Sequence, residues 1–123
     1  MLEIHTLDEF KNAFEAKSDE ILVADPDLAK KFIIFDKVKK YLGIAGPVLN
    51  AEITKLLVLG ERRYWLMMLP PDVLFIPLMG LNGFSVCVEL GAALGGVKPL
   101  KEFKKTYVIE PADGGDVVLR RRQ

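Results

Sequence analysis

Between Val73 and Val97 the chain runs for 25 residues with a single charge, Glu89. Inside that run Gly83, Cys87, Gly91 and Gly95 fall at intervals of four. Residues four apart lie on one face of an α-helix, so these small side chains make one stripe. Gly91 to Gly95 also has the G-x-x-x-G form that marks close helix contacts in membranes. The stripe has a cost, because each interior helical Gly is about 1 kcal/mol less favourable than Ala. Five glycines stand between positions 80 and 96, so a helix here needs tight packing to form. Three settings supply it: the chain's own core, a lipid bilayer, or a tight homo-oligomer.

The bilayer setting has arguments on both sides. A spanning helix needs about 20 mainly apolar residues, and the run is long enough. Glu89 lies about 200° round the helix from Cys87, and a lone carboxylate in hydrocarbon costs about 2.5–3.5 kcal/mol on the lenient scale. Arg62 and Arg63 precede the run, and Lys98, Lys101, Lys104 and Lys105 follow it. Both flanks are basic, so charge gives no single-pass orientation. It suits a hairpin with both ends cytoplasmic, for which the preceding apolar helix is short and carries Glu52 and Lys55.

Charge also divides the chain. Residues 1–43 and 98–123 are rich in it and residues 44–97 are poor, which raises the mean hydropathy to +0.22. We read 1–123 as a single α+β domain with those three parts. Lys plus Arg and Asp plus Glu both count 17, so the net charge is zero and gives no case for nucleic acid. One cysteine excludes an internal disulfide and fits a reducing compartment. The opening MLEIHTLDEF lacks a basic region followed by an apolar run, so no secretory signal is expected. The expected location is the cytoplasm or the cytoplasmic face of a membrane.

Local signals give the elements. Leu2 to His5 reads as a strand. Thr6 and Glu9 form a capping box for a helix with Leu7, Phe10, Ala13 and Phe14 on one face. Residues 21–24, ILVA, read as a second strand. Asp25 caps the next helix and Pro26 takes its first position. That helix buries Leu28, Phe32, Phe35, Val38 and Leu42, turns its lysines outward and ends at Gly43. This β-α-β-α unit predicts parallel strands if both share a sheet. A third helix is expected over 47–59, with Leu49, Ile53, Leu56 and Leu57 inward, then a break at Gly60-Glu61-Arg62-Arg63. Residues 64–69 and 73–79 form either extended segments around Pro70-Pro71-Asp72, or a broken helix resuming at Pro77. Thr106–Glu110 and Val117–Arg120 predict a C-terminal β-hairpin around PADGGD.

Chemistry-bearing constellations are sparse. His5 and Cys87 are the only residues of their kinds, which gives no metal site of the usual spacing. A Cys87–His5 catalytic pair is formally available, but Cys87 sits among apolar residues where a thiol stays protonated. Ser18 and Ser85 lack a nucleophile-elbow context, and Gly95-Gly96-Val97-Lys98 lacks phosphate-loop spacing. Asp25 and Asp27 read as helix-start residues, and Asp113 and Asp116 as loop residues. The lysines of 26–42 and the Arg120-Arg121-Arg122 tail read as solvated charge, because the aromatics needed for single-stranded nucleic acid lie on the apolar stripes.

The strand ILVA, the helix DPDLAKKFIIFDKVKK, the Gly- and Ala-rich middle and the basic strand DVVLRRR together resemble small uncharacterised bacterial proteins of that layout. The segment YWLMMLPPDVLFIP departs from it by being bulkier and richer in Pro. The resemblance implies no enzyme activity and no site residues, and adds to the case for membrane association or self-assembly.

We therefore expect a non-enzymatic protein that self-associates through its Gly-striped middle, at or in a membrane. Gly83, Cys87, Gly91 and Gly95 form its contact, and it needs no catalytic residue, metal, cofactor or small-molecule substrate. The alternative is a soluble protein-binding module, an adaptor or inhibitor.

Overall fold

The structure, a computed structural model, describes residues 1–59 and 76–122. The readings of the break at 60–63, of residues 64–69 and of the Pro-Pro turn through 75 lie outside the described residues. The elements are β1 (Leu2–Ile4), α1 (Leu7–Glu15), β2 (Glu20–Val23), α2 (Pro26–Val38) and α3 (Leu42–Leu59). α4 (Ile76–Leu94), α5 (Val97–Thr106), β3 (Tyr107–Pro111) and β4 (Val117–Arg121) follow. The fold is α+β, with an N-terminal β-α-β-α unit and a C-terminal hairpin.

The strands form one sheet in the order β1-β2-β4-β3. β1 runs parallel to β2, and β4 runs antiparallel to both its neighbours. Register lines up Ile21, Leu119 and Ile109 in one cross-strand row, and Ile4, Val23 and Val117 in the next. All six are buried. Side chains alternate across a strand, so one face of the sheet is apolar and the helices pack on it.

The caps follow the sequence. The Glu9 N–H donates to Thr6 Oγ1 at 3.1 Å, and the Glu9 carboxylate accepts from the His5 N–H at 2.9 Å. Asp25 Oδ2 accepts from the Leu28 N–H at 2.9 Å, with Pro26 at the first helical position. The turn between α1 and β2 is held by the C-terminal hairpin: the Tyr107 hydroxyl donates to Ser18 O at 2.6 Å and the Arg121 N–H to Asp19 O at 2.8 Å.

Two boundaries differ from expectation. α2 stops at Val38, and after a 3₁₀ turn at Lys39–Tyr41 the next helix begins at Leu42. Gly43 is thus not a helix stop, and Pro47 lies inside α3. Proline lacks the N–H that would bond the carbonyl four residues back. That carbonyl belongs to Gly43, which is exposed, so water can take the place of the missing donor. The second difference is α5. Residues 98–123 are not all hairpin, because residues 97–106 form a helix that buries Val97, Leu100 and Phe103. Phe103 then meets Phe10, Phe14, Phe32, Phe35 and Tyr107 at ring-centroid distances of 5.1–6.2 Å.

Candidate functional site

The glycine stripe divides between two jobs. A Cβ built on Gly83 would lie 2.8 Å from Val38 Cγ1, at the end of α2. A Cβ on Gly91 would overlap the Ile53 Cδ1 methyl of α3 and lie 3.6 Å from Leu100 Cδ2 of α5. Gly83, Cys87 and Gly91 are all buried. These residues let α4 settle against three helices of its own chain. Gly95 belongs to a different device. Its φ is +96°, its N–H donates to Ala92 O at 3.2 Å, and the Gly96 N–H donates to Gly91 O at 2.8 Å. That is a Schellman helix stop, which needs a left-handed residue. A Cβ on Gly95 would touch nothing within 4 Å, so its place in the four-residue rhythm is not a packing contact.

Among the described residues no helix is long and apolar enough to cross a membrane. α4 is interrupted at Gly80, where φ is +75° and ψ 155°. Glu89 is not a lone charge: its Oε2 lies 2.9 Å from Lys31 Nζ of α2.

Cys87 is fully buried, and burial pushes its thiol up to about 12. His5 is on the surface, its Nε2 3.6 Å from Glu3 Oε1. The two do not form a catalytic pair. Native Cys87 should therefore resist a water-soluble disulfide reagent and react stoichiometrically once the chain is unfolded. Its raised pKa also sets a sign. In the folded chain the thiol keeps its proton above the usual cysteine range while the unfolded chain releases it, so stability falls as pH rises from about 9 toward 12. Urea titrations across that range should show a shallower alkaline fall for Cys87→Ala than for the parent.

α3 carries two apolar faces. The inward one holds Leu42, Ala45, Leu49 and Ile53, all buried. The outward one holds Ile44, Ala51 and Val58, seven residues apart and so two turns apart on one side, with the exposed Lys55 lying between Ala51 and Val58. Ile44 is 68% exposed and Val58 78% exposed. Pro47 beside them is exposed too. Leu57, expected inward, is 56% exposed. On the flank, Glu52 is buried, with Oε1 2.8 Å from Lys55 Nζ and Oε2 lacking a hydrogen bond among the described residues. The Thr54 hydroxyl donates to Asn50 O at 2.9 Å and so is occupied within its own helix. The signal for this second face lay in the sequence: the 42–59 segment is apolar on nearly every side, which a single core-facing stripe does not require.

Among the described residues no group of three or more His, Cys, Asp or Glu could hold a metal. Asp25 caps α2, and Asp113 and Asp116 flank the hairpin loop. Arg120 lies between Glu110 and Glu20, at 3.2 Å and 3.8 Å, on the sheet face away from the helices. Comparison with family models, curated proteins and solved structures finds no match for this chain.

Proposed function

We propose that the chain is a non-enzymatic self-associating protein whose contact is the outer face of α3. The observation that carries this reading is the pair Ile44 and Val58, exposed two ends apart on one strip of a helix already buried on its other side. Over 14 residues the strip is about 21 Å long. Leaving such side chains in water forfeits about 1.5–3 kcal/mol each. The surface asks little of its partner. Lys55 is held by Glu52, and the Thr54 hydroxyl by its own backbone. An apolar strip of this kind is best met by an apolar strip, and a two-fold axis would set Ile44 of one copy near Val58 of the other. The contact stays within the apolar middle, at α3 instead of the glycine stripe, because Gly83 and Gly91 are committed to the chain's own core.

Light scattering on a size-exclusion column, at several loading concentrations and with and without mild detergent, tests it. The parent should read about twice 13.8 kDa in plain buffer. Ile44→Glu and Val58→Glu should each weaken association by about a hundredfold, since each replaces a buried methyl surface with a desolvated charge. Both positions are exposed in the monomer, so both variants should keep their fold. A parent that stays at 13.8 kDa at every concentration would sink the reading in favour of a module for another protein. A parent found in the membrane pellet and released only by detergent would turn the same strip toward lipid.

A further inference from the structure

α2 and α4 each present an i, i+3, i+4, i+7 face to a shared groove. Asp27, Lys30 and Lys31 come from α2, and Asn82, Ser85 and Glu89 from α4. The hollow they line holds about 420 Å³. The Lys31–Glu89 ion pair crosses the groove at 2.9 Å. Beyond that crossing lies a second hollow of about 280 Å³, lined by Leu7, Leu56, Ala92 and Ala93 with Asp8 at its edge, which shares Lys31 and Glu89 with the first. Small-molecule sites combine an apolar wall with a few convergent polar groups in a volume of about 300–1,000 Å³.

The polar hollow is notable for what its groups lack. Among the described residues the side chains of Asp27, Lys30, Asn82 and Ser85 make no hydrogen bond or ion pair with the chain. They converge from two helices on one space. Their charges also balance. An anion alone would face Asp27 and Glu89, and a cation alone would face Lys30 and Lys31. A molecule with both charges finds a counter-charge for each.

We infer that the groove binds a small zwitterion with an apolar side chain, of the α-amino acid class. Its carboxylate is met by Lys30 and the Ser85 hydroxyl, and its ammonium by Asp27. Its side chain lies over the Lys31–Glu89 pair toward Leu56, Ala92 and Ala93. The ligand is bound and not transformed, and the site is separate from the outer face of α3.

Amide chemical-shift titration of the full chain tests this, with L-leucine, L-methionine and L-phenylalanine as probes, up to about 10 mM, ten times a millimolar Kd. Saturable shifts centred on residues 82–93 and 27–34 are expected. N-acetyl-leucine, which lacks the ammonium, and leucinamide, which lacks the carboxylate, should each bind at least about tenfold more weakly than leucine, the loss of one charge-assisted hydrogen bond. Lys30→Ala should erase the difference between leucine and leucinamide, and Asp27→Asn that between leucine and N-acetyl-leucine. Both residues are exposed, so both variants should fold. No saturable shift with any of the three amino acids overturns the assignment. So does equal affinity for leucine and its singly charged derivatives, or a variant that leaves the charge preference unchanged.

Discussion

Gly91→Leu should destabilise the monomer by about 3 kcal/mol or more, the upper end of what overpacking a core costs. A Cβ at position 91 already overlaps the Ile53 Cδ1 methyl and lies 3.1 Å from Ile53 Cγ1. Neither neighbour has open space behind it, since Ile53 is 1% and Leu100 0% exposed. The helix cannot slide away, because Gly83 holds its other end against Val38. Even Gly91→Ala is a contest. Helix propensity favours Ala by about 1 kcal/mol, while displacing the Ile53 methyl costs about 1–3 kcal/mol, so the net change should be destabilising. Leu adds three more carbons in the same place. Urea unfolding followed by circular dichroism reads the effect, and most domains have only about 5–15 kcal/mol to lose. Ile53→Ala vacates the offending methyl, so Gly91→Ala combined with Ile53→Ala should show a favourable coupling of about 1 kcal/mol. If Gly91→Leu kept the parent's urea midpoint but halved its mass on the column, Gly91 would belong to a contact between copies after all.

The spacing of Gly83, Cys87 and Gly91 made the need for a close neighbour legible, but not the neighbour. A helix in lipid, an oligomer and a monomer core all ask for the same small residues at the same interval. The choice among them lies with Val38, Ile53 and Leu100, which are distant in sequence and reach α4 only through the tertiary fold. Gly95 shows how periodicity misleads. It keeps the rhythm, yet its neighbour Gly96 and the restart at Val97 mark a helix end, where a positive φ and not a small volume is required. The caps at Thr6 and Asp25 were legible because capping involves residues only three apart.

Sheet order was out of reach for a similar reason. Each strand announced itself, but nothing local says that β4 inserts beside β2 and leaves β3 at the edge. The groove shared this blindness. Glu89 looked solitary among apolar residues, and its partner Lys31 looked like one of several solvated lysines, until α2 and α4 lay side by side. α5 was a different kind of miss. Lys98, Lys101, Lys104 and Lys105 drew the eye to charge, although Val97, Leu100 and Phe103 recur every three residues and so share one side of a helix.

That overlooked helix carries the residue whose loss should cost the most. Phe103→Ala should destabilise the fold by about 4 kcal/mol, within the 3–5 kcal/mol usual for a fully buried Phe. The ring is 1% exposed. Its centroid lies 5.1 Å from Phe10 of α1, 5.8 Å from both Phe32 and Phe35 of α2, and 5.5 Å from Tyr107 of β3. One side chain therefore joins two helices and a strand that are far apart in the sequence. Aromatic pairs in tilted or edge-on geometry add about 0.5–1.5 kcal/mol beyond area burial. The neighbours are themselves buried rings that cannot easily collapse into the space, so the cavity term should persist. Phe14 is the control. It touches the same cluster but is only half-buried, so Phe14→Ala should cost about 1–2 kcal/mol. Urea midpoints rank the two variants, and near-ultraviolet circular dichroism reports whether the remaining rings stay fixed. A Phe103→Ala loss no larger than that of Phe14→Ala would mean that α5 is an appendage to the sheet. A loss of the expected size would make it the element through which the N-terminal β-α-β-α unit and the C-terminal hairpin fold as one.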